Sequence, residues 1–560
     1  MADTFVWKSD RPWPNVRLKT AAIVGHTTST STRLWFRTGR PGTFTIVLYP
    51  TSILQTDAML AGFSEVPFSL DDLPAEARRI SFTIADYSQD TTYVVDIDQL
   101  SALTEYGYAL HGRDDNNNMR ILLGQDRDYT FRTLPDTTAP LSFGFYSCHM
   151  PYKQTVFGNT NLVNMEMWDC FNQVLTRHYA TDLHFVIGGG DQVYVDGVKS
   201  LSIWKFLNKV MRKEDGTLLP DKDAMVSWYR DIHRGYWGFR SLQKCFSRYP
   251  TYMMWDDHEL GDGWGSYVLS DDNDDELDEV LPALEQQGLS RADGLTLLER
   301  MAEAGKQAYE EYQHSHNPVT PADRYDYHFT TGNSTFYFLD GRGNRDINRQ
   351  SRRVLGSAQY NRFKQWLAAL DPATTQYLFV VSAVPMVHLA SVIANADDGV
   401  LADIADMQDD LRDAWEHKLH DSERRGLLRA LFDAADRGIR ICILSGDVHT
   451  SAAFRLTDDQ TGKVIYQLTS SAITYNKPRL LAWLLGKAVA DEGHSDDGYT
   501  FERLALYTDS NFSIVKVDPD SDRVWFQLYG KQTVSDPYEE NPAPDLPMTH
   551  ALTKLELRFD

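Results

Sequence analysis

Two periodicities divide the chain. Up to about residue 132, short runs alternate apolar and polar positions: Thr32–Arg37 (TRLWFR), Phe44–Tyr49 (FTIVLY) and Thr91–Ile97 (TTYVVDI), with Gly, Pro and Ser turns between them. Alternation with a period of two predicts half-buried strands. The run Leu103–Tyr108 (LTEYGY) fits the tyrosine corner of an immunoglobulin- or fibronectin-like sandwich. Thr133–Pro140 (TLPDTTAP) is polar and proline-bearing, as domain boundaries are. An N-terminal β-sandwich domain over residues 1–137 and a second domain over 138–560 are therefore expected.

Beyond the boundary, strand-like runs alternate with helical ones. Strands are predicted at 141–147, 183–188, 250–255, 335–339, 376–381 and 439–444. Helices are predicted near 160–178, over a long stretch from about 200 to 245, and near 422–437. In the last of these, Ser422 is placed to cap the start, Leu427, Leu428, Leu431 and Ala434 form one apolar face, and Gly438 can end it. Alternating elements imply an α/β core. Tyr466–Ile473 and Asn511–Val517 follow without a clear crossover helix, so antiparallel pairs are expected as well. A C-terminal strand and lid segment is expected from about 480, where Leu480–Leu485 reads as a buried helix or a lid.

Composition narrows the function. At 560 residues the chain exceeds one small core, and 42% apolar residues suffice to pack several. A formal charge of −24 argues against broad capture of nucleic acid or anionic membrane, and no stable nucleic-acid partner is expected. An anionic substrate stays open, because metal ions and arginines can reverse the field inside one pocket. Asp271–Glu279 (DDNDDELDE) reads as a solvated loop and lacks the spaced glycine of an EF-hand. Cys148, Cys170, Cys245 and Cys442 are widely spaced without a CxxC, which indicates neither a disulfide framework nor a zinc knuckle. Cys170 and Cys442 read as packing residues. The start, MADTFVWKSDRPW, shows no signal-peptide or twin-arginine pattern, and Leu480–Leu485 is too short to span a bilayer. As written, a cytoplasmic protein without a transmembrane segment is expected, or a secreted one if a leader has been removed. Oligomeric state is left open.

The chemistry sits at predicted strand ends. Ser147-Cys148 follows LSFGFY, Gly190-Asp191-Gln192-Val193-Tyr194 follows DLHFVIGG, Asp256-Asp257-His258-Glu259 follows YPTYMMW, and Gly446-Asp447-Val448-His449 follows IRICILS. In open α/β sheets, sites form at the carboxyl edge of the strands. Several such ends in one crevice make a cavity of carboxylates, a thiol, a phenol and a histidine. Burying that set without cations is costly, because like charges repel at low dielectric.

Five motifs in order carry a resemblance: SCHM at 147–150, GGDQVYVD at 189–196, WDDHE at 255–259, FLDGRGNRD at 338–346 and LSGDVH at 444–449. Together they resemble the PhoD-like (alkaline phosphatase D) branch of the calcineurin-like metallophosphoesterases. GHTTSTSTRLWFR at 25–37 is similar to that branch's amino-terminal sandwich. The fold this implies is an α/β metallophosphoesterase core, with mixed β-sheets flanked by helices, behind a small all-β immunoglobulin/fibronectin-like domain. The activity it implies is metal-dependent hydrolysis of phosphate esters, monoesters or diesters, by a two-metal-activated hydroxide.

Carried over residue by residue, the resemblance makes Cys148, Asp191, Tyr194 and His449 ligands of a ferric ion. Asp191 would bridge to a second centre completed by Asp257 and Asp447, which resembles a calcium site, with Mn, Mg and Zn as alternatives. Thiolate and phenolate suit Fe(III), and a carboxylate set suits a hard divalent ion. His258 would protonate the leaving oxygen or serve as an outer partner of the metal. Arg342 and Arg345 would clamp phosphate oxygens or pair with carboxylates such as Asp346. Asp256 is read as orienting its loop, and His149 and His184 as structural. The chain departs from the superfamily at Val381–Pro385, where a histidine ligand is often found and none stands here; His388 is near but displaced. Two rival readings differ in class: a glycan- or protein-binding protein on an inactive scaffold, and a metal-dependent hydrolase of a non-phosphate bond.

Overall fold

The computed structural model describes residues 18–52, 77–113, 117–124, 129–154, 160–179, 183–198, 201–214, 216–265, 286–345, 353–388, 413–475, 486–495, 497–532 and 546–559. The chain start, the acidic run Asp271–Glu279, Asp346 and the Leu480–Leu485 segment lie outside the described residues.

Strands are numbered in chain order. The first eight form two antiparallel sheets. One contains β1 (Ala21–Thr27), β2 (Thr32–Arg37) and β5 (Thr92–Ile97); the other contains β3 (Gly42–Pro50), β4 (Arg78–Ile84), β6 (Glu105–Arg113), β7 (Met119–Leu123) and β8 (Thr130–Arg132). Alternation along β2 serves two cores. Leu34 and Phe36 pack with Phe44, Ile46, Phe82 and Tyr108 between the two sheets. Trp35 points the other way into the neighbouring helical layer, where its indole N–H donates to the Glu311 carbonyl at 2.7 Å. The Tyr106 hydroxyl accepts from the Ser101 backbone N–H at 2.9 Å.

Two larger mixed sheets follow. The first contains β9 (Leu141–Tyr146), β12 (Leu183–Gly189) and β15 (Thr251–Met254), which run parallel, and the antiparallel strands β24 (Asn511–Asp518), β25 (Arg523–Gln532), β26 (Leu546–Pro547) and β27 (Thr553–Leu557). The second contains β16 (Tyr327–Thr331), β17 (Ser334–Phe338), β18 (Tyr377–Val381), β19 (Arg440–Ser445), β20 (Ser451–Asp458), β21 (Val464–Thr469), β22 (Glu492–Ser495) and β23 (Tyr499–Tyr507), with β17, β18, β19 and β21 parallel. Two short hairpins, β10 (Tyr152–Gln154) with β11 (Thr160–Leu162) and β13 (Arg212–Glu214) with β14 (Thr217–Leu219), stand apart.

The two large sheets pack face to face through aromatic residues. Phe143 of the first meets Phe336 and Phe379 of the second edge-on, both at 5.2 Å between ring centres. Helices Glu166–Tyr179, Ile203–Val210, Lys222–Tyr236, Arg240–Phe246 and Arg291–Tyr312 cover the outer face of the first sheet. Helices Gly356–Ala369 and Asp421–Asp436 cover that of the second. Among the described residues, no helix is long and apolar enough to cross a membrane.

Local expectations are adjusted in three places. The stretch from 200 to 245 is not one long helical run: the β13/β14 hairpin interrupts it at Gly216, whose φ is +82°, and a new helix starts where Asp221 accepts from the Ala224 N–H at 2.9 Å. The helix expected near 160 begins only at Glu166, because Thr160–Leu162 pairs as a strand. Ser422 lies inside the first turn of its helix and His420 takes the cap position, while Gly438 follows the last turn at φ +101°.

Candidate metal centre

Strand direction and register bring the motifs together. In the first sheet Gly188 stands opposite both Tyr146 and Met253, so three parallel strands end at one level. The ladder continues one step beyond them: Cys148 N–H donates to Gly190 O at 3.2 Å, and His149 N–H to Asp191 O at 2.8 Å. From the second sheet, β19 ends beside this edge. Gly446 makes the approach possible, since a Cβ there would lie 2.4 Å from Ser147 Cβ. Cys148, Asp191, Asp447 and His449 all adopt left-handed backbone conformations, with φ of +56°, +57°, +62° and +51°. Residues other than glycine seldom do so, and their concentration here turns four donors into one crevice.

Asp191 is shared by two groups of donors and also lies with Asp257 and His258 in a third. On one side its Oδ2 accepts from the Cys148 thiol at 3.3 Å and from the Tyr194 hydroxyl at 3.0 Å, and Tyr194 Oη lies 2.9 Å from His449 Nε2. Donor atoms of Cys148, Asp191 and His449 lie within 4.8 Å of one another. On the other side, single oxygens of Asp191, Asp256, Asp257 and Asp447 satisfy the same limit. Asp191 Oδ1 and Asp256 Oδ2 are buried and have no hydrogen-bond partner, while Asp257 Oδ1 lies 3.4 Å from an Arg342 terminal nitrogen. A buried carboxylate oxygen without a donor costs free energy that a cation would recover. The residues present therefore fit two adjacent cations: a mixed S, O and N set on one side, carboxylates on the other.

The electrostatics agree. Burial, and then the neighbouring carboxylates, push Asp191 and Asp447 well above the usual carboxylate range. Burial raises Asp256 to about 7 and Glu259 to about 8. Burial and the adjacent Asp191 charge likewise raise the Cys148 thiol and the Tyr194 phenol. Each of these shifts disfavours the charged ligand form, and positive charge between the groups would act the other way. For His258, burial acts downward but the charges of Asp196, Asp257, Asp262 and Asp191 outweigh it and raise its pKa.

The other expected residues fall around this core. His258 lies against Tyr194, 4.0 Å between ring centres, with Nδ1 2.8 Å from Asp196 Oδ1. Arg342 lies among carboxylates. It is 1% exposed, its Nε bonds Asp256 Oδ1 at 2.5 Å, and its two terminal nitrogens bond Asp413 at 2.9 and 2.5 Å. Arg345 pairs with the same Asp413 at 2.9 Å. Arg342 is thus engaged by Asp256 and Asp413, and Arg345 by Asp413. His388 lies beside Phe454 and in neither group of donors. His149 accepts from the Trp168 indole N–H, and His184 Nδ1 accepts from the Ser142 N–H.

Four residues escaped sequence reading. Glu259, 1% exposed, accepts from the backbone N–H groups of Asp191, Gln192 and Asp256 and so ties two ligand loops together. Asp196 holds His258. Both stand inside quoted motifs, and their acidic type was the available signal. Tyr475 stacks on His449 at 3.6 Å between ring centres, and Asp413 reaches Arg342 across 71 positions. Neither is flagged by any local pattern.

Two face-packed mixed sheets, flanked by helices and carrying metal-type donors at one carboxyl edge, make this a metallophosphoesterase fold. The chain belongs to the PhoD-like phosphatase family, whose model matches residues 143–503. Its fold is similar to the solved structure of PhoD, at a TM-score of 0.59 and 15% identity over 96% of this chain and 90% of that one. A purple acid phosphatase, PPD1 of yellow lupin (Lupinus luteus) seeds, gives a TM-score of 0.49 and 11% identity over 97% of this chain and 76% of that one. Among curated sequences, the uncharacterized protein YGR266W of Saccharomyces cerevisiae is 24% identical over 353 residues, 50% of this chain and 46% of that protein. The chain thus matches less than half the length of this curated relative.

Proposed function

We propose that this protein hydrolyses phosphate esters with the help of two adjacent cations. The observation that carries the reading is the double membership of Asp191, one carboxylate shared between the Cys148/Tyr194/His449 side and the Asp257/Asp447 side. Fe(III) on the first side and a divalent ion, calcium foremost, on the second are what the likeness to PhoD-like phosphatases implies, and the donor types agree with that split. Bound there, the cations would supply Lewis-acid activation of water and neutralise charge on the phosphoryl oxygens.

The chain's own residues supply the rest. Asp191, Asp257 and Asp447 hold the charge that selects cations at this edge. Protonated His258 offers Nε2–H to a leaving oxygen while Nδ1–H stays donated to Asp196. Glu259 keeps the Asp191 and Asp256 loops at fixed separation. Arg342 and Arg345, engaged by Asp256 and Asp413, hold that arrangement from behind. The division at residue 137, and a sandwich of the immunoglobulin/fibronectin kind before it, are part of the same proposal; they rest on the separate apolar core between the two N-terminal sheets.

The test is hydrolysis of an aryl phosphate monoester and a bis-aryl diester by the full chain supplied with iron and calcium, with Asp191→Ala as the blank. Activity in the wild type alone supports the reading, and the ratio of the two rates gives the preferred ester. Equal silence of both proteins while iron is bound would direct attention to the non-phosphate and binding-protein readings.

A further inference from the structure

The strand ends around the crevice do not contribute equally. From β9 comes Cys148, from β12 Asp191, and from β19 Asp447 and His449. The strand beside β19, β18, runs on into Ser382-Ala383 and presents only a methyl group. Ala383 and Asp256 both abut the space over Gly190: a Cβ on that glycine would lie 3.2 Å from Ala383 Cβ and 3.0 Å from Asp256 Cβ. Asp256 therefore stands at the side where β18 brings no donor.

Regular extension of β15 would send residues 256 and 257 to opposite faces. The chain instead enters a 3₁₀ turn at Asp257, with Asp256 extended just before it, and both carboxylates join the group with Asp191 and Asp447. Asp256 is 1% exposed and its two oxygens are treated differently. Arg342 Nε binds Oδ1 at 2.5 Å, and Oδ2 has no hydrogen-bond partner. Arg342 cannot swing away, because Asp413 takes both terminal nitrogens and the Trp264 carbonyl accepts a further bond at 3.0 Å.

We propose that Asp256 is a ligand of the carboxylate-side cation through Oδ2, and that Arg342, anchored by Asp413, is the positioning group that fixes its other oxygen. The inference rests on the two-cation reading above. A carboxylate so divided lends one oxygen to a hard ion, and the guanidinium offsets one of four clustered negative charges. Arg342 is then part of the frame of the centre and not a substrate clamp.

The test is calcium titration of the iron-loaded full chain by calorimetry, with iron content measured in parallel. Asp256→Asn should weaken calcium binding about tenfold or more and leave iron content unchanged. Arg342→Lys, which keeps the charge but loses the fork, should weaken it by about ten- to a hundredfold, the range of outer-partner losses. In excess chelator Asp256→Asn should unfold no lower than the wild type, whereas calcium should raise its midpoint less. Calcium affinity within twofold of wild type in both variants would overturn the proposal and return Asp256 to loop orientation. A wild-type chain that binds iron but no divalent cation would overturn the two-cation reading itself, and this inference with it.

Discussion

His258 Nδ1 lies 2.8 Å from Asp196 Oδ1, and Asp196 also accepts from the Asp262 backbone N–H. The pair engages Nδ1 and leaves Nε2 3.8 Å from Asp262 Oδ1. It also places a carboxylate where it favours the protonated ring. The proposed donor role then predicts that Asp196→Asn lowers kcat about 10- to 100-fold. Because Asp196 raises the His258 pKa, its loss should move the alkaline limb of the kcat profile to lower pH. A merely structural role would lower the rate without moving that limb.

Asp191 is fully buried among Asp256, Asp257 and Glu259. Asp191→Asn should abolish hydrolysis, by at least about 10³-fold, and remove both cations. In chelator the same variant should be more stable than the wild type, by roughly 1–3 kcal/mol, since one repelling buried acid is gone. Urea unfolding with and without metal measures both effects.

Gly446 lets the edge of the second sheet meet the first. Gly446→Ala would drive a methyl group to 2.4 Å from Ser147 Cβ and 2.9 Å from Gly189 O. The expected result is a folded protein, destabilised by about 1–3 kcal/mol, whose iron content falls because Asp447 and His449 are displaced from Cys148. Metal analysis beside circular dichroism separates that outcome from simple unfolding.

Between the N-terminal sheets and the helices, Asp90 binds Arg37 through both oxygens, at 3.0 and 3.1 Å, and Arg234 at 2.7 Å. Burial acts upward on Asp90, but Arg37 and Arg234 outweigh it and hold its pKa to about 2. A depressed folded-state value means stability that is fully present above the unfolded value near 4. It is lost as pH falls through about 2, and amounts to roughly 2–3 kcal/mol. Asp90→Asn should remove this acid-side loss and lower stability at neutral pH by about 3–5 kcal/mol, because two buried guanidinium groups lose their counter-charge. Urea midpoints measured between pH 2 and 7 give both.

Much of the site was legible before the fold. Each donor-bearing motif stands directly after an apolar run, and such runs announce strands because burial on both faces demands continuous apolar side chains. The motifs holding Cys148, Asp191, Tyr194, Asp257, Asp447 and His449 stood out for that reason, the choice of these six within them came from the resemblance, and the alternation of TRLWFR marked a β-rich start. Where local cues competed, boundaries slipped: the β13/β14 hairpin lies inside a stretch whose amphipathic pattern reads as helix on either side.

The sequence by itself determined the donor types, their order along the chain and their positions at strand ends, because these depend on local patterning alone. Only the tertiary structure decided which donors share an ion's reach. That depends on register between parallel strands and on one glycine, Gly446, where two sheets touch. It also decided which groups Arg342 meets: Asp413, 71 positions away, takes both terminal nitrogens, and no local pattern encodes that approach.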